Sequence, residues 1–133
     1  MSDAVLIDAS ALLAVLFQEP GAEAVIDVLP SAEISAVNAA EVIAKLTDKL
    51  AENGEPPEQA QALFEALLLP VRAFGSRAAG IAGQLRRGTR SAGLSLGDRA
   101  CLAEALCASL PVLTADRSWA ALNLPLDIRV IRP

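Results

Sequence analysis

The stretch VLIDASALLAVLF, residues 5–17, is apolar almost throughout and carries one acidic residue, Asp8. Residues 4–7, AVLI, have the composition of a short buried strand, and Ser10 is the expected N-cap of a helix that runs to about Phe17. An isolated ionised carboxylate costs several kcal/mol to bury unless it is paired or bound to a metal. The stretch therefore predicts a strand that leads directly into a helix, with an acid at the junction that needs an explanation.

Short apolar strands alternate with helical patterns along the rest of the chain. Further strands are predicted at 33–36 (EISA), 70–74 (PVRAF), 111–114 (PVLT) and 127–131 (DIRVI). Helices are predicted after Gly21 to about Leu29, from Asn38 to Asn53-Gly54, over 59–69 (QAQALFEALLL), from Ser76 to about Arg87, from Ser95 to Leu110, and briefly from Asp116. This alternation predicts an α/β fold, a three-layer α/β/α domain with a central, mainly parallel sheet of about four to five strands.

Composition bounds the class of protein. The 133 residues, 53% of them hydrophobic and 20% charged, are enough for a single globular domain over 1–133 without disulfide or metal staples. Met1-Ser2-Asp3 lacks the basic segment of a secretory signal, and no apolar run reaches the roughly 18 residues of a membrane span, so we expect a cytoplasmic protein with no membrane segment. Cys101 and Cys107 lie six positions apart in one predicted helix, too far apart for a disulfide, and are expected to be free thiols.

The chain contains no histidine, which excludes several kinds of hydrolytic site. Ser-His and Cys-His nucleophiles, and ribonucleases that move protons through an imidazole pair, need a residue that this chain lacks. Two cysteines without histidine cannot build a zinc cluster, and no glycine-rich loop of the dinucleotide or P-loop kind follows a strand. Hydrolytic chemistry here would have to rest on carboxylates and a metal.

Charge is unevenly distributed along the chain, whose net charge is −5. Residues 1–71 hold 12 acids and two bases, residues 72–99 hold one acid and six arginines, and residues 100–133 hold three of each. The arginines of the middle block are Arg72, Arg77, Arg86, Arg87, Arg90 and Arg99. They suit a surface that binds an anionic partner and equally suit a solvated helix face, and the charges alone do not decide between the two.

Four acidic residues fall at predicted strand and helix junctions, the edge at which α/β proteins bind ligands. They are Asp8, Glu41, Asp98 and Asp116. Asp98 shares a helical face with Cys101 and Leu102 in a helix that is apolar all round, so we expect its side chain to point towards the interior. Carboxylates gathered at one edge repel one another, a divalent cation relieves that repulsion, and oxygen ligands without histidine or thiolate favour Mg²⁺ or Mn²⁺.

Each of these acids also has a purely structural explanation. Asn38-x-x-Glu41 and Ser95-x-x-Asp98 both match the helix capping box, and Asp116 is a good N-cap. Glu41 could also begin a solvated stripe in which it pairs with Lys45 one turn later. Taken singly, each acid is explained more simply by a structural role than by a functional one, because such motif matches are common by chance. The positions of Asp8 after an apolar strand and of Asp98 on an apolar helix are what favour a metal site.

Four blocks of sequence resemble the PIN domain, and specifically the VapC-type toxins of bacterial toxin–antitoxin pairs. The blocks are VLIDASALLAVL (5–16), NAAEVIAKL (38–46), GLSLGDRACLAEAL (93–106) and VLTADRSW (112–119), which occur in the family's order and are spread over almost the whole chain. The resemblance implies that the four acids, Asp8, Glu41, Asp98 and Asp116, form an acidic quartet that holds Mg²⁺ or Mn²⁺. It also implies that Ser10 and Thr114 occupy the family's small hydroxyl positions beside that site.

The resemblance further implies a metal-dependent endoribonuclease, in which a water activated by the metal cleaves an RNA phosphodiester bond. It implies a homodimer, and a toxin that inhibits translation and growth until a small VapB-like antitoxin covers its site. Because the chain is acidic, RNA binding needs cations, and the candidates for phosphate contacts are Arg86, Arg87, Arg90, Arg99 and Arg117. Members of the family cut different RNAs, so the RNA target does not follow from the resemblance.

Two other functions are compatible with these residues. A PIN-like module could bind RNA or a protein without cutting, although the intact quartet argues against it. An aspartyl-nucleophile phosphatase ranks last, because that chemistry usually needs a second aspartate two residues after the first, where this chain has Ser10.

Overall fold

The computed structural model describes residues 3–133, so Met1 and Ser2, on which the expected lack of a secretory signal partly rests, lie outside the described residues. The strands are β1 (Val5–Ile7), β2 (Ala32–Ser35), β3 (Val71–Arg72), β4 (Val112–Thr114) and β5 (Ile128–Val130). They form one sheet in the order β3-β2-β1-β4-β5, and every pair of neighbours is parallel. The predicted α/β fold around a parallel sheet is confirmed.

Within residues 3–133, six α-helices connect and flank the strands. They are α1 (Ala9–Leu16), α2 (Ala22–Val28), α3 (Ala36–Glu52), α4 (Ala60–Glu65), α5 (Ser76–Thr89) and α6 (Leu96–Ala108). Short 3-10 helices lie at Leu29–Ser31, Pro57–Gln59, Arg90–Ala92 and Arg117–Ala121. All the predicted strands are present, although β3 is reduced to two residues.

Strand β1 is buried on both faces because helices cover both sides of the sheet. Ile7 belongs to the apolar cluster that contains Leu12 of α1 and Ile34 of β2, whereas Leu6 belongs to the cluster that contains Leu102 of α6. Successive side chains of a strand point to opposite faces, so both faces must be apolar when both are covered. This two-sided burial is why the strand is apolar at every position.

The start of α1 differs from the prediction. Asp8, not Ser10, is the N-cap, and its carboxylate accepts a hydrogen bond from the backbone N–H of Ala11. Both residue types cap helices well, and the helix begins immediately after the strand, so the first capping residue in the chain takes the position. Ser10 therefore lies inside the first turn of the helix.

The start of α3 is corrected in the same way. Ser35 is the N-cap and its hydroxyl accepts from the backbone N–H of Asn38, so Asn38 lies in the first turn instead of opening the helix. The capping box predicted for Asn38 and Glu41 is therefore absent from this helix. Its predicted end is correct, since the chain leaves α3 through Asn53 and through Gly54, which has a positive φ of 73°.

The helix predicted over 59–69 is shorter than expected. Residues Pro57–Gln59 form a 3-10 turn and α4 ends at Glu65, after which Leu68 adopts a φ of 57° and is 87% exposed. A leucine with positive φ cannot continue a right-handed helix, and Pro70 follows closely. The apolar run that resembled one long helix is thus a short helix followed by an exposed turn.

The carboxyl ends of β1, β2 and β4 lie side by side, because these are neighbouring parallel strands. Helices α1 and α3 begin at this edge, and α6, which runs back towards the start of β4, has its own N-terminus there. No helix within residues 3–133 is both long and apolar enough to cross a membrane. Cys101 and Cys107 are free thiols, as predicted.

Candidate functional site

A cleft of about 200 Å³ lies at this edge of the sheet, and all four predicted acids line it. They are Asp8, Glu41, Asp98 and Asp116. Asp8 follows β1, Glu41 lies in α3, Asp98 lies in the first turn of α6 and Asp116 follows β4. Residues that are up to 108 positions apart in sequence are therefore brought to one place by the parallel order of the strands.

Asp8 is the most deeply buried of the four acids, with 3% of its surface exposed. Its carboxylate accepts hydrogen bonds from Thr114 Oγ1 at 2.6 Å, from Ser10 Oγ at 2.8 Å and from Ala11 N at 2.8 Å. Burial raises the pKa of this carboxyl from its ordinary value of 3.8 to about 6, although the hydrogen bonds oppose the rise, and the charge of Asp98 adds slightly to it. All the donors are neutral, so the negative charge of Asp8 is solvated but not balanced.

The two hydroxyls beside Asp8 also connect the ends of β1 and β4. Ser10 Oγ accepts from the backbone N–H of Ala115 at 2.9 Å, and Thr114 Oγ1 accepts from the backbone N–H of Asp116 at 3.0 Å. Each hydroxyl thus donates to Asp8 and accepts from the segment that carries Asp116. Ser10 and Thr114 therefore fix the position of one acid relative to another, which gives these predicted supporting residues a physical role.

Glu41 is positioned by two residues to which the sequence analysis gave no functional role. The side-chain amide of Asn38, which is 1% exposed, donates from Nδ2 to Glu41 Oε1 at 2.7 Å and to the carbonyl of Gly97 at 3.1 Å. The Glu41 carboxylate lies so close to Gly97 that a Cβ added there would stand 2.5–2.6 Å from its atoms. Two features of the sequence could have pointed to this contact. One is Asn38, a polar residue in the first turn of α3, and the other is Gly97, a glycine in the first turn of α6, where alanine is normally preferred.

Asp98 and Asp116 both take part in helix capping, Asp98 in the capping box of α6 and Asp116 as the N-cap of the 3-10 helix that follows it. Asp98 Oδ2 accepts from Ser95 N at 2.9 Å in a complete capping box, and Asp116 Oδ1 accepts from Ser118 N at 2.9 Å and Ser118 Oγ at 2.7 Å. Asp98 is partly exposed and faces the cleft, so the expectation that it points into the interior is corrected. A complete capping box places the side chain over the end of its helix, where water can still reach it.

The other oxygen of each of these two carboxylates is open. Within residues 3–133, neither Asp98 Oδ1 nor Asp116 Oδ2 accepts a hydrogen bond. In the same part of the chain, no three acidic or thiol side chains are already arranged to hold a metal ion. The cleft therefore offers oxygen atoms without a preformed coordination sphere, and both capping acids can contribute one without losing their caps.

The predicted arginines fall into two groups. Arg86, Arg87 and Arg90 are exposed and line a groove along the C-terminal part of α5, and Arg117 is exposed next to Asp116. Arg99 is only 8% exposed, and its Nη1 donates to the carbonyl of Ala82 at 2.8 Å between α6 and α5. Arg99 is therefore part of the helix packing and not of an anion-binding surface. The excess of arginines in residues 72–99 does not show which face of its helix each arginine occupies.

The donor set of the cleft fits a hard divalent cation. Its potential ligands are carboxylate, carboxamide and hydroxyl groups, and Lys45 is the basic residue that lines it. Oxygen donors of this kind suit Mg²⁺ or Mn²⁺. No lysine or arginine within residues 3–133 forms an ion pair with any of the four acids, so their mutual repulsion is not relieved by a salt bridge.

Comparison with known proteins identifies the family and the fold. A family model of the PIN domain matches residues 5–123. The fold is similar to that of DNA-bound VapBC from Salmonella typhimurium, at a TM-score of 0.73 and 20% identity over 98% of this chain and 99% of that chain. It is also similar to a toxin–antitoxin complex from Klebsiella pneumoniae, at a TM-score of 0.71 and 21% identity over 96% of this chain and 98% of that chain. A third similar structure is FitAcB from Neisseria gonorrhoeae, at a TM-score of 0.69 and 21% identity over 96% of this chain and 97% of that chain. At these identities the likeness shows a shared fold. A search of curated protein sequences gives no match.

Proposed function

The chain belongs to the PIN domain family, and we propose from this premise that it is a metal-dependent endoribonuclease and the toxin of a toxin–antitoxin pair. The observation that carries the proposal is the single cleft shared by Asp8, Glu41, Asp98 and Asp116. The absence of histidine supports a reaction that depends on carboxylates and a metal. The similarity of the fold to toxin–antitoxin complexes supports the assignment of this chain as the toxin.

The four acids are the residues that would hold Mg²⁺ or Mn²⁺ in this proposal. When bound, such an ion supplies positive charge that polarises the phosphodiester and promotes ionisation of water. Asp8 is fixed by Thr114, Ser10 and the N-terminus of α1, so it presents an oriented charge at the base of the cleft. Asp98 and Asp116 each contribute an open oxygen, and Asn38 holds Glu41 against α6.

The exposed arginines supply the positive charge that an acidic cleft lacks for binding RNA phosphates. RNA phosphates are repelled by uncompensated carboxylates and attracted by arginines at the surface. Arg117 directly follows Asp116, and Arg86 and Arg87 of α5 line one groove together with Arg90, which directly follows α5. We assign these four residues to phosphate contacts.

The partners proposed for the toxin are a VapB-like antitoxin and a second copy of the chain. The neighbouring structures include a toxin–antitoxin complex and a member of the VapBC family of toxin–antitoxin systems, which supports a VapB-like partner. Leu63 in α4 and Leu68 in the following turn are exposed apolar side chains, and we propose each of them as a contact for such a partner. The structure describes one chain, so the dimer rests on the family resemblance.

The function is tested by metal-dependent cleavage of end-labelled transfer RNA and ribosomal RNA by the purified protein. We expect discrete products with Mg²⁺ or Mn²⁺ and none when EDTA removes the metal, because the carboxylates alone have no means of stabilising the charge on the reacting phosphate. Cleavage that continues unchanged in EDTA would contradict the proposal. Tight RNA binding without cleavage of any pool would favour a non-catalytic RNA-binding module instead.

Gly97→Ala tests whether Glu41 belongs to the metal site. The added Cβ would collide with the Glu41 carboxylate, which is at the end of a flexible, exposed side chain and can move away at little cost to the fold. Alanine also favours a helix more than glycine does. We therefore expect unchanged or slightly higher thermal stability, together with Mn²⁺ binding that calorimetry finds weakened by about 10-fold.

Gly80→Ala in α5 is the matched control for this substitution, because nothing lies within 4 Å of the added Cβ. It should show a similar change in stability and unchanged Mn²⁺ affinity. If Gly97→Ala binds Mn²⁺ as tightly as the parent, the observed position of Glu41 is not the one that it uses towards a metal.

A further inference from the structure

A second cavity, of about 530 Å³, lies between the C-terminal half of α5 and the segment that follows Asp116. Its polar lining residues are Gln84, Thr89, Ser91, Ser118 and Asn123. Amide and hydroxyl side chains both donate and accept hydrogen bonds. No charged residue lines this cavity within the described part of the chain. It is therefore suited to a neutral group with a polar edge and not to a free anion or cation.

The remaining surface of the cavity is aliphatic. Leu85, Leu122 and Leu124 provide apolar contact, and no aromatic side chain lines it in residues 3–133. Its size is within the range of about 300–1,000 Å³ that is typical of small-ligand sites. A planar heterocycle with apolar faces and hydrogen-bonding edges matches such a lining, with leucine contacts in place of aromatic stacking.

The cavity adjoins both the acidic cleft and the arginine groove. Ser118 lines it and donates from Oγ to Asp116 Oδ1 at 2.7 Å, and Asp116 lines the cleft. Gln84 lines both the cavity and the groove that contains Arg86, Arg87 and Arg90. A neutral cavity thus adjoins both a site that would act on a phosphodiester and a groove that contains three arginines.

We propose that this cavity receives one nucleobase of a single-stranded RNA, whose adjoining phosphates contact Arg86, Arg87 and Arg90. The inference rests on the proposed function and adds to it a position at which the strand is recognised beside the scissile bond. An anionic strand with neutral bases is the ligand that matches a neutral cavity flanked by arginines. Gln84, Ser91 and Asn123 are the residues that would distinguish one base from another through its edge.

Gly88 allows the cavity to be filled without disturbing the fold. It lies in α5, lines the cavity, has a helical backbone, and a Cβ added there would meet nothing within 4 Å. Gly88→Leu should therefore place an apolar side chain in the space proposed for the base. Gly80→Leu is the matched control, because Gly80 lies in the same helix with equally open space, and it does not line the cavity.

The experiment measures binding by fluorescence anisotropy in EDTA, with both variants made in an Asp98→Asn background so that no cleavage interferes. The probes are a labelled single-stranded 12-nucleotide RNA of mixed sequence and an abasic strand with the same sugar–phosphate backbone. We expect Gly88→Leu to weaken binding of the RNA by about 10-fold and to leave binding of the abasic strand unchanged. Gly80→Leu should bind both strands as the background protein does.

Equal RNA affinity for Gly88→Leu and Gly80→Leu would overturn the base site. So would an equal loss on both probes, because that would indicate an effect on phosphate contacts alone. The proposed function is judged separately, by whether the parent cleaves RNA in Mg²⁺. If the parent cleaves and Gly88→Leu has no effect on binding, only the base site is wrong, whereas a parent that neither binds nor cleaves RNA refutes both.

Discussion

Asp8→Asn is expected to lower RNA cleavage by at least about 100-fold and, at the same time, to stabilise the metal-free protein at neutral pH. Asparagine caps helices as well as aspartate does, and the hydroxyls of Ser10 and Thr114 can accept from its amide as readily as they donate to the carboxylate. The substitution therefore keeps the local hydrogen bonds and removes a buried, unbalanced charge. Urea unfolding in EDTA measures the stability, and the end-labelled RNA assay measures the activity.

The gain in stability should depend on pH in a defined direction. The pKa of Asp8 is 3.8 in its ordinary state and about 6 in the folded protein. Between these values the folded protein holds the proton and the unfolded chain does not, so the free energy of unfolding of the parent falls as pH rises through this range. The total loss is about 3 kcal/mol at about 1.4 kcal/mol for each pH unit. The variant should match the parent below pH 4 and exceed it above pH 6.

Asp48→Asn provides the control, because Asp48 is an exposed acid of α3 outside the cleft. Its effect on the free energy of unfolding should stay within about 0.5 kcal/mol at every pH. Adding Mn²⁺ should raise the stability of the parent, as a ligand of the folded state does, and should not raise that of Asp8→Asn. An Asp8→Asn protein that is less stable than the parent at pH 7.5 in EDTA would show that the folded protein already balances this charge.

The sequence predicts the place of Asp8 but not its detailed role. A wholly apolar strand followed by an acid locates the carboxyl end of a parallel sheet, because only a strand covered on both faces lacks polar alternation. Ser10 was nevertheless the expected N-cap, since both residue types cap equally well. The choice depends on where β1 ends, and the pairing of Ile7 with Ile34 and Leu113 fixes that point. This pairing is a tertiary contact that local sequence does not contain.

The roles of Arg99 and Asn38 also depend on tertiary contacts that local sequence does not contain. The arginine block identified an excess of positive charge, yet the packing of α6 on α5, with small residues such as Ala78 and Ala82 between them, leaves room that Arg99 fills. Asn38 was taken for a cap because it precedes Glu41 by three residues. Its function depends on the carbonyl of Gly97, 59 residues later. Local sequence predicts that a residue such as Asn38 lies at a helix end. It does not predict which residue of another helix will be its hydrogen-bond partner, because the fold brings the two helices together.

Asp98→Asn should separate the two explanations that the sequence left open for this residue, a helix cap and a catalytic acid. The amide oxygen of asparagine can still accept from Ser95 N, so the capping box is largely preserved and the free energy of unfolding should change by less than about 1 kcal/mol. If Asp98 contributes an oxygen to a metal, cleavage of end-labelled RNA in Mg²⁺ should fall by at least about 100-fold. Parallel Mn²⁺ titrations should show weakened binding.

Ser95→Ala is the complementary variant, because it removes the cap and keeps the acid. Ser95 Oγ accepts from the backbone N–H of Asp98, and losing this bond should cost about 1 kcal/mol of stability. The carboxylate remains next to the cleft, so most of the cleavage rate should be retained. If Asp98 acts only as a cap, the ranking reverses: Ser95→Ala loses at least as much activity as Asp98→Asn, and both losses follow the fall in stability. Because the two residues belong to one capping box, a larger loss of activity in Asp98→Asn, together with a smaller loss of stability, would assign that activity to the carboxylate and not to the cap.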